Sequence, residues 1–122
     1  MCIRDRPMSI YGVSKRANEL MAHTYSNLHQ VKTTGLRFFT AYGPWGRPDM
    51  AMYIFANRII KKQKITVFNH GKMKRDFTFI DDIVNGIKSA IEKNYLCEIF
   101  NIGNNKSISL LYLIQLLSLI HI

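Results

Sequence analysis

The chain has 122 residues, of which 48% are hydrophobic, 11% aromatic and 20% charged. This composition is typical of a globular domain and excludes a disordered tail. The formal net charge of +9 favours anionic partners such as nucleic acid, a membrane surface or phosphorylated small molecules. Cys2 and Cys97 are too few and too far apart for a disulfide scaffold or a zinc site, so we expect a reducing, cytoplasmic compartment.

The two ends of the chain differ from the rest. Met1–Arg6 and Leu117–Ile122 resemble translated sequencing-adapter sequence and match no element of the pattern between them. We therefore interpret residues 1–6 and 117–122 as non-native ends and residues 7–116 as the domain. The apolar run Ile108–Ile120 is too short to span a bilayer and predicts a buried or truncated helix, so no membrane partner is expected.

The first half of the chain predicts a helix, a strand, a loop and a second helix. Ser9 is a suitable N-cap for a helix that reaches about Gln30, because apolar residues follow it at helical spacing. Lys32–Phe39 is rich in β-branched and aromatic residues and predicts a strand. Tyr42–Asp49 concentrates glycine and proline and predicts a loop, after which Met50–Lys62 predicts a helix.

The second half continues the alternation of strands and helices. Lys64–Phe68 predicts a short strand, and Asn69–Lys74 predicts a basic turn that contains Gly71. Asp76–Ile80 predicts an extended segment, and a helix capped by Asp81 or Asp82 then reaches about Lys93. The remaining predicted elements are the strand Glu98–Ile102, the turn Gly103–Lys106 and a last helix capped by Ser107. This alternation predicts an α/β layered architecture.

Tyr11 and Lys15 form a Tyr-x-x-x-Lys pair on the first predicted helix. Residues four apart lie on one helix face, with Cβ atoms about 5–6 Å apart. An isolated phenol stays protonated near neutral pH, whereas a neighbouring ammonium favours the phenolate. Such a pair suits a reaction in which a hydroxyl proton leaves while a hydride departs from the same carbon. Taken alone, the same spacing also occurs between ordinary surface side chains.

Further motifs accompany this pair in chain order. Ser9–Glu19 (SIYGVSKRANE) resembles the catalytic helix of the extended short-chain dehydrogenases/reductases, and Gly35–Pro44, Arg75–Asp82 and Phe100–Gly103 follow at the spacing of that family. The resemblance implies a partial Rossmann-like α/β fold, with the C-terminal half of the nucleotide-binding domain and part of the substrate domain. It also implies NAD as the cofactor, with Tyr11 and Lys15 as catalytic and cofactor-binding residues and with Phe39 near the nicotinamide.

Arg37–Met50 (RFFTAYGPWGRPDM) looks most like the UDP-glucuronate 4-epimerases, because related decarboxylases and 4,6-dehydratases usually carry Asn where this chain has Thr40. Thr40 offers a hydroxyl, and Arg47 offers a guanidinium fork suited to a carboxylate. Trp45 is interpreted as either lining the pocket or simply packed. The resemblance implies C4 epimerisation of UDP-glucuronate to UDP-galacturonate through a 4-keto intermediate. Another nucleotide-sugar epimerase, a 4,6-dehydratase or a UDP-glucuronate decarboxylase are the alternatives.

The resemblance also implies further contacts with a UDP-sugar. Arg75 would contact the diphosphate and be oriented by Asp76, while Asn69 would lie near the uracil ring. The four histidines of the chain show no ligand spacing, so no metal site is expected. The resemblance further suggests that the complete enzyme to which this sequence belongs is a homodimer.

Two parts of the expected machinery are not found in these 122 residues. One is the Gly-rich turn that binds the NAD pyrophosphate in this fold, and the other is the Ser/Thr catalytic partner of the family. We therefore expect an internal piece of a longer enzyme that is inactive, and poorly folded, on its own. A basic nucleic-acid-binding module is the alternative from another class, but it is suggested by net charge alone, and no nucleic-acid partner is expected.

Overall fold

The computed structural model describes residues 6–119. The described chain divides into two compact units, one formed by residues 6–37 and 84–102 and the other by residues 38–83 and 103–119. The helix α3 (Ile80–Lys93) begins in the second unit and ends in the first. Residues 1–5 and 120–122, which belong to the predicted non-native ends, lie outside the described residues.

The first unit is built on a long helix and a two-stranded sheet. Helix α1 (Ile10–His29) begins at Ser9, whose side-chain oxygen accepts a hydrogen bond from the Gly12 N–H at 3.0 Å. This is the N-cap that the sequence predicted, and it satisfies one of the unpaired N–H groups of the first turn. The sheet pairs β1 (Thr33–Phe38) with β4 (Cys97–Ile102).

The Leu96 carbonyl joins α1 to this sheet, because it accepts two hydrogen bonds. One comes from the buried Ser26 hydroxyl on α1 at 3.0 Å, and the other comes from the Thr33 N–H at the start of β1 at 2.9 Å. The last third of α1 is therefore attached to both strands at one point.

The second unit contains a three-stranded sheet and two helices. In the sheet, β2 (Thr40–Tyr42) runs parallel to β3 (Lys74–Phe79), and β3 runs antiparallel to β5 (Ser107–Ser109). The helices are α2 (Ala51–Ile60) and α4 (Leu110–Leu119), which pack against each other. The buried hydrophobic residues of this unit come from these elements and from the start of α3, and they are Phe55, Phe77, Ile83 and Leu113.

Several predicted boundaries of the second unit are corrected by the structure. Lys64–Phe68 is not a strand, because a strand needs a neighbouring backbone edge and this segment pairs with none among the described residues. Arg58 Nη1 donates instead to the Lys64 carbonyl and to the Thr66 hydroxyl, each at 3.2 Å. Tyr42 ends strand β2 instead of opening the loop. Asp81 and Asp82 lie inside the first turn of α3, where they face the helix dipole without capping it.

The start of the last helix is also corrected. Ser107 lies in β5 and does not cap α4. Ser109 has that role, since its hydroxyl oxygen accepts a hydrogen bond from the Tyr112 N–H at 3.2 Å. The β-branched Ile108 between the two serines favours an extended backbone. Among residues 6–119, no helix is long and apolar enough to cross a membrane.

The predicted basic turn contains an unusual backbone. A 3₁₀ turn covers Phe68–Gly71, and Asn69, His70 and Gly71 all have positive φ, at 51°, 49° and 71°. Gly71 is buried, and a Cβ atom at this position would overlap the side chain of Leu111 on α4. Glycine is therefore required here both by the backbone conformation and by the close approach of the helix.

Candidate active site

Tyr11 and Lys15 lie side by side on α1. The Nζ atom of Lys15 is 5.2 Å from the centroid of the Tyr11 ring. The Tyr11 side chain is 72% exposed and Lys15 is also exposed, so both polar groups can be reached from solvent. One helical turn has therefore brought an ammonium to an accessible phenol, as the sequence predicted, and this arrangement is suited to proton transfer at a substrate hydroxyl.

Two turns after Tyr11, an ion cluster fastens α1 to β1. Glu19 Oε1 accepts from Arg37 Nε at 2.6 Å, and Glu19 Oε2 accepts from Arg37 Nη2 at 2.7 Å and from Arg16 Nη1 at 2.9 Å. The hydrogen bonds from Arg37, assisted by Arg16 and opposed by partial burial, lower the pKa of Glu19 to about 2. The bidentate pair fixes both the distance and the orientation of the helix against the strand.

Glu19 and Arg37 belong to two of the sequence motifs, but their pairing was not predicted from the sequence. A signal for it exists, because Arg37 stands inside a strand between the apolar residues Leu36 and Phe38. A charged side chain in such a position requires a partner. The nearest acidic residue on an adjacent predicted element is Glu19, one helical turn beyond Lys15.

Within the second unit, a cavity of about 830 Å³ collects three of the predicted substrate-binding residues. Thr40 on β2, Arg47 in the following loop and Arg75 on β3 all line it, together with apolar side chains such as Phe68 and Met73. An apolar cavity with a few convergent polar groups has the general character of a small-molecule site. Thr40 and Arg75 are on neighbouring strands, and both strands present these residues to the same space.

Arg47 already holds a carboxylate in the structure. Its Nε donates to Asp49 Oδ1 at 3.0 Å, and its Nη2 pairs with Asp49 Oδ2. The hydrogen bond from Arg47 lowers the pKa of Asp49, so this carboxylate stays ionised near neutral pH. The two side chains are 76% and 61% exposed. The guanidinium therefore has the geometry for bidentate carboxylate recognition, and a ligand carboxylate would meet Asp49 at the same fork.

The loop that carries Arg47 turns sharply between Gly43 and Gly46. The Tyr53 hydroxyl, from the first turn of α2, donates to the Gly43 carbonyl and accepts from the Gly46 N–H, each at 3.1 Å. Trp45, at the outer corner of the turn, has a φ of 62° and is fully exposed. It is neither packed nor part of the cavity lining, so both interpretations of this residue from the sequence are wrong. Tyr53 was not predicted as a functional residue.

Other predicted residues lie apart from the cavity lining. Asn69 is exposed in the 3₁₀ turn, and Phe39 is half-buried, with its ring close against Gly103. Asp76 does not orient Arg75 as predicted. Its Oδ1 accepts instead from the Thr78 hydroxyl at 3.1 Å and from the Asn104 N–H at 3.0 Å, and no ion pair with Arg75 occurs among the described residues.

The part of the chain that the structure describes contains no candidate metal-binding site. Residues 6–119 contain no group of three or more His, Cys, Asp or Glu side chains that could hold a metal ion. The predicted site residues thus fall into two sets: Tyr11 and Lys15 are together in the first unit, and Thr40, Arg47 and Arg75 are together around the cavity of the second.

Comparison with known sequences finds close relatives. The chain is 53% identical over 113 residues to an uncharacterized protein of Methanocaldococcus jannaschii, covering 93% of this chain and 35% of the relative. It is 43% identical over 129 residues to UDP-glucuronate 4-epimerase 4 of Arabidopsis thaliana, covering 93% of this chain and 30% of that enzyme. The chain thus spans about a third of the length of these curated relatives.

Comparison with solved structures agrees. UDP-glucuronic acid 4-epimerase from Bacillus cereus, in complex with UDP-glucuronic acid and NAD, matches with a TM-score of 0.90 and 35% identity, over 99% of this chain and 40% of that one. This match confirms the predicted fold class, a partial Rossmann-like α/β fold of the extended short-chain dehydrogenase/reductase type. The sequence model described as "NAD dependent epimerase/dehydratase family" matches residues 2–103. The chain belongs to the NAD dependent epimerase/dehydratase family.

Proposed function

We propose that the full-length protein containing this chain epimerises C4 of UDP-glucuronate to give UDP-galacturonate. The observation that carries the proposal is Arg47, which lines the apolar cavity and grips a carboxylate through two N–H groups. A uronate is the sugar whose carboxylate this fork would recognise. The relatives named UDP-glucuronate 4-epimerase support the same substrate.

NAD is the cofactor that the proposal requires, and the residues of α1 fit one part of it. Lys15 is exposed beside Tyr11, so its ammonium can donate to the hydroxyls of a nicotinamide ribose while the phenol faces the sugar. When bound, NAD supplies a reversible acceptor for the hydrogen at C4. Phe39 is proposed to lie near the nicotinamide. The pyrophosphate would be held by a Gly-rich turn outside these 122 residues.

Tyr11 and Lys15 carry the proton transfer in this mechanism. Tyr11, as the phenolate, accepts the proton of the C4 hydroxyl, and it returns the proton to the oxygen when C4 is reduced on the opposite face. Lys15 stabilises the phenolate through the charge of its ammonium. The substrate passes through a 4-keto sugar that must rotate between the two steps.

Thr40, Arg47 and Arg75 bind the substrate in the proposal. Arg47 and Thr40 hold the carboxylate, and this fixes the β-keto acid in an orientation that discourages loss of CO₂. Arg75, which is exposed on β3 and lines the cavity, is suited to the diphosphate because its planar group offers several donors. Asn69 is proposed to lie near the uracil. A homodimer is expected from the family resemblance, and a cytoplasmic location is expected from the low cysteine content.

The proposal is tested by incubating the full-length protein and NAD with UDP-glucuronate or UDP-glucose and following the products by proton NMR. We expect UDP-galacturonate from UDP-glucuronate. A UDP-pentose with CO₂ would identify a decarboxylase instead, and conversion of UDP-glucose alone would identify a different epimerase or a dehydratase. Arg47→Ala should raise the KM for UDP-glucuronate about 10- to 100-fold, and Arg47→Lys, which keeps the charge but lacks the fork, should recover only part of this loss.

A further inference from the structure

The turn from Gly43 to Gly46, just before Arg47, is not stabilised sufficiently by its own backbone. Gly43 and Trp45 have φ values of 133° and 62°, and Trp45 is a bulky residue in a region that favours glycine. The Trp45 side chain is fully exposed, so no side-chain packing compensates for this conformation. Within the turn, one weak backbone hydrogen bond links the Gly46 N–H to the Gly43 carbonyl at 3.3 Å. An additional restraint is therefore needed.

The Tyr53 hydroxyl supplies that restraint. It accepts from the Gly46 N–H and donates to the Gly43 carbonyl, so a single oxygen clamps both ends of the turn at 3.1 Å each. Tyr53 is half-buried on α2, and its ring is therefore anchored by the helix that follows the loop. The Tyr53 hydroxyl therefore uses both its donor and its acceptor function, and its partly buried position strengthens these hydrogen bonds.

The absence of a side chain at Gly46 leaves room for the Tyr53 ring. A Cβ atom at this position would lie 2.5 Å from Tyr53 Cε2 and 3.3 Å from Tyr53 Cζ. Real Cβ atoms do not approach a ring carbon so closely, so any larger residue would displace the ring and its hydroxyl. The glycine and the tyrosine therefore form one unit, and Arg47 is the residue bonded directly to it.

We propose that Tyr53 is a positioning residue for Arg47, and that its hydroxyl sets the selectivity of the cavity for a sugar bearing a carboxylate. This inference rests on the proposed function, because it assigns the substrate carboxylate to Arg47. The hydroxyl holds the turn, and the turn determines where the guanidinium fork stands at the cavity wall. Tyr53 itself lines the cavity, but its hydroxyl is committed to the backbone of the turn.

The experiment compares dissociation constants of the full-length protein for UDP-glucuronate and UDP-glucose by calorimetric titration with NAD present. Because both ligands contain UDP, the ratio of the two dissociation constants reports the contribution of the carboxylate to binding. The titrations use a Tyr11→Phe background so that no turnover intervenes. Tyr53→Phe, which removes one hydroxyl and keeps the ring, should reduce the preference for UDP-glucuronate about three- to tenfold. Gly46→Ala, which displaces the ring, should reduce it at least as much.

A matched control is Tyr112→Phe on α4. The Tyr112 hydroxyl makes no hydrogen bond with any described residue, and Tyr112 is not part of the cavity lining. Its replacement should leave the ratio unchanged. The conformation of the turn is followed separately by the ¹⁹F resonance of 5-fluorotryptophan at position 45, which is assigned by its loss in Trp45→Phe. Tyr53→Phe should shift or broaden this resonance, whereas Tyr112→Phe should not.

The outcomes separate this inference from the function on which it rests. If Arg47→Ala reduces the preference for UDP-glucuronate and Tyr53→Phe does not, the positioning role is overturned while the proposed function stands. If Arg47→Ala has no effect on the ratio, the uronate assignment itself fails. A reduced ratio in Tyr53→Phe with an unchanged ¹⁹F resonance would also overturn the inference, because the hydroxyl would then act without moving the turn.

Discussion

Replacing Glu19 with glutamine tests the ion cluster that fastens the Tyr11 helix to β1. In the full-length protein, we expect Glu19→Gln to lower the free energy of unfolding, because a neutral amide cannot form the bidentate ion pair with Arg37. The hydrogen bonds from Arg37, opposed by partial burial and assisted by Arg16, lower the pKa of Glu19 from 4.5 to about 2. At about 1.4 kcal/mol per pH unit, this difference corresponds to about 3 kcal/mol.

Solvent screening reduces this figure only modestly, because the side chains of Glu19 and Arg37 are 17% and 25% exposed. We therefore expect a loss of about 2–3 kcal/mol at neutral pH, which exceeds the range of about 0–1 kcal/mol typical of exposed ion pairs.

The effect should depend on pH with a defined sign. The folded-state pKa of Glu19 lies below the unfolded-state value, so the unfolded state binds more protons between pH values of about 2 and 4.5. The stabilisation is fully present above the upper value and is lost as the pH falls toward the lower one. The difference between wild type and Glu19→Gln should therefore shrink as the pH falls through this window.

Urea titrations followed by circular dichroism, at neutral pH and at several acidic values, measure both effects. The matched control is Glu92→Gln on α3, an exposed glutamate that forms no ion pair with any described residue, and it should change stability little. Equal losses in the two variants would refute the reasoning. So would a Glu19→Gln loss that stays constant as the pH falls.

Three further predictions concern the second unit and the chain by itself. Asp49→Asn should tighten binding of UDP-glucuronate, because it removes the carboxylate that occupies the Arg47 fork; weaker binding in a titration would show that Asp49 organises the fork instead. Gly71→Ala should lower the free energy of unfolding of the full-length protein by about 1–3 kcal/mol, because φ is 71° and Leu111 leaves no room for a Cβ atom. In the same thermal melts, Gly35→Ala should have a smaller effect, because Gly35 has no positive φ. The isolated 122-residue chain should show no cooperative melt and no fixed near-UV circular dichroism signal, because many large apolar side chains such as Leu20, Leu28 and Ile91 are exposed. A sharp melt with a strong near-UV signal would contradict this prediction.

Local features of the sequence were sufficient for much of the fold. Helix α1 was predicted within one residue at each end, because its N-cap and its apolar spacing are both local signals. Strand β4 was predicted within one residue for the same kind of reason. The Tyr11–Lys15 proximity also follows from helix geometry alone, and the structure confirms it.

The failures concern features that depend on distant parts of the chain. Lys64–Phe68 has the composition of a strand, but a strand requires a partner edge, and the segment is instead bonded by the Arg58 side chain. The pair of Glu19 with Arg37 joins residues 18 positions apart, and the clamp of Tyr53 on Gly43 spans 10. Neither pair follows from secondary-structure propensity, because each depends on where the fold places two distant residues.

The placement of the candidate site was predicted only in part. Thr40, Arg47 and Arg75 do line one cavity, whereas Asn69 and Phe39 are not part of its lining. The placement of Arg75 depends on the pairing of β2 with β3, which motif order alone does not specify. The functional role of each of these residues remains a prediction.

The central claim, that Tyr11 is the acid–base group of a C4 epimerase, is tested most directly by Tyr11→Phe in the full-length protein. The measurement is the rate of formation of UDP-galacturonate from UDP-glucuronate, followed by proton NMR. We expect Tyr11→Phe to reduce kcat about 10²- to 10⁴-fold, while Tyr25→Phe, which removes a phenolic hydroxyl from the same helix, stays close to wild type. Epimerisation by Tyr11→Phe at the wild-type rate would contradict the claim.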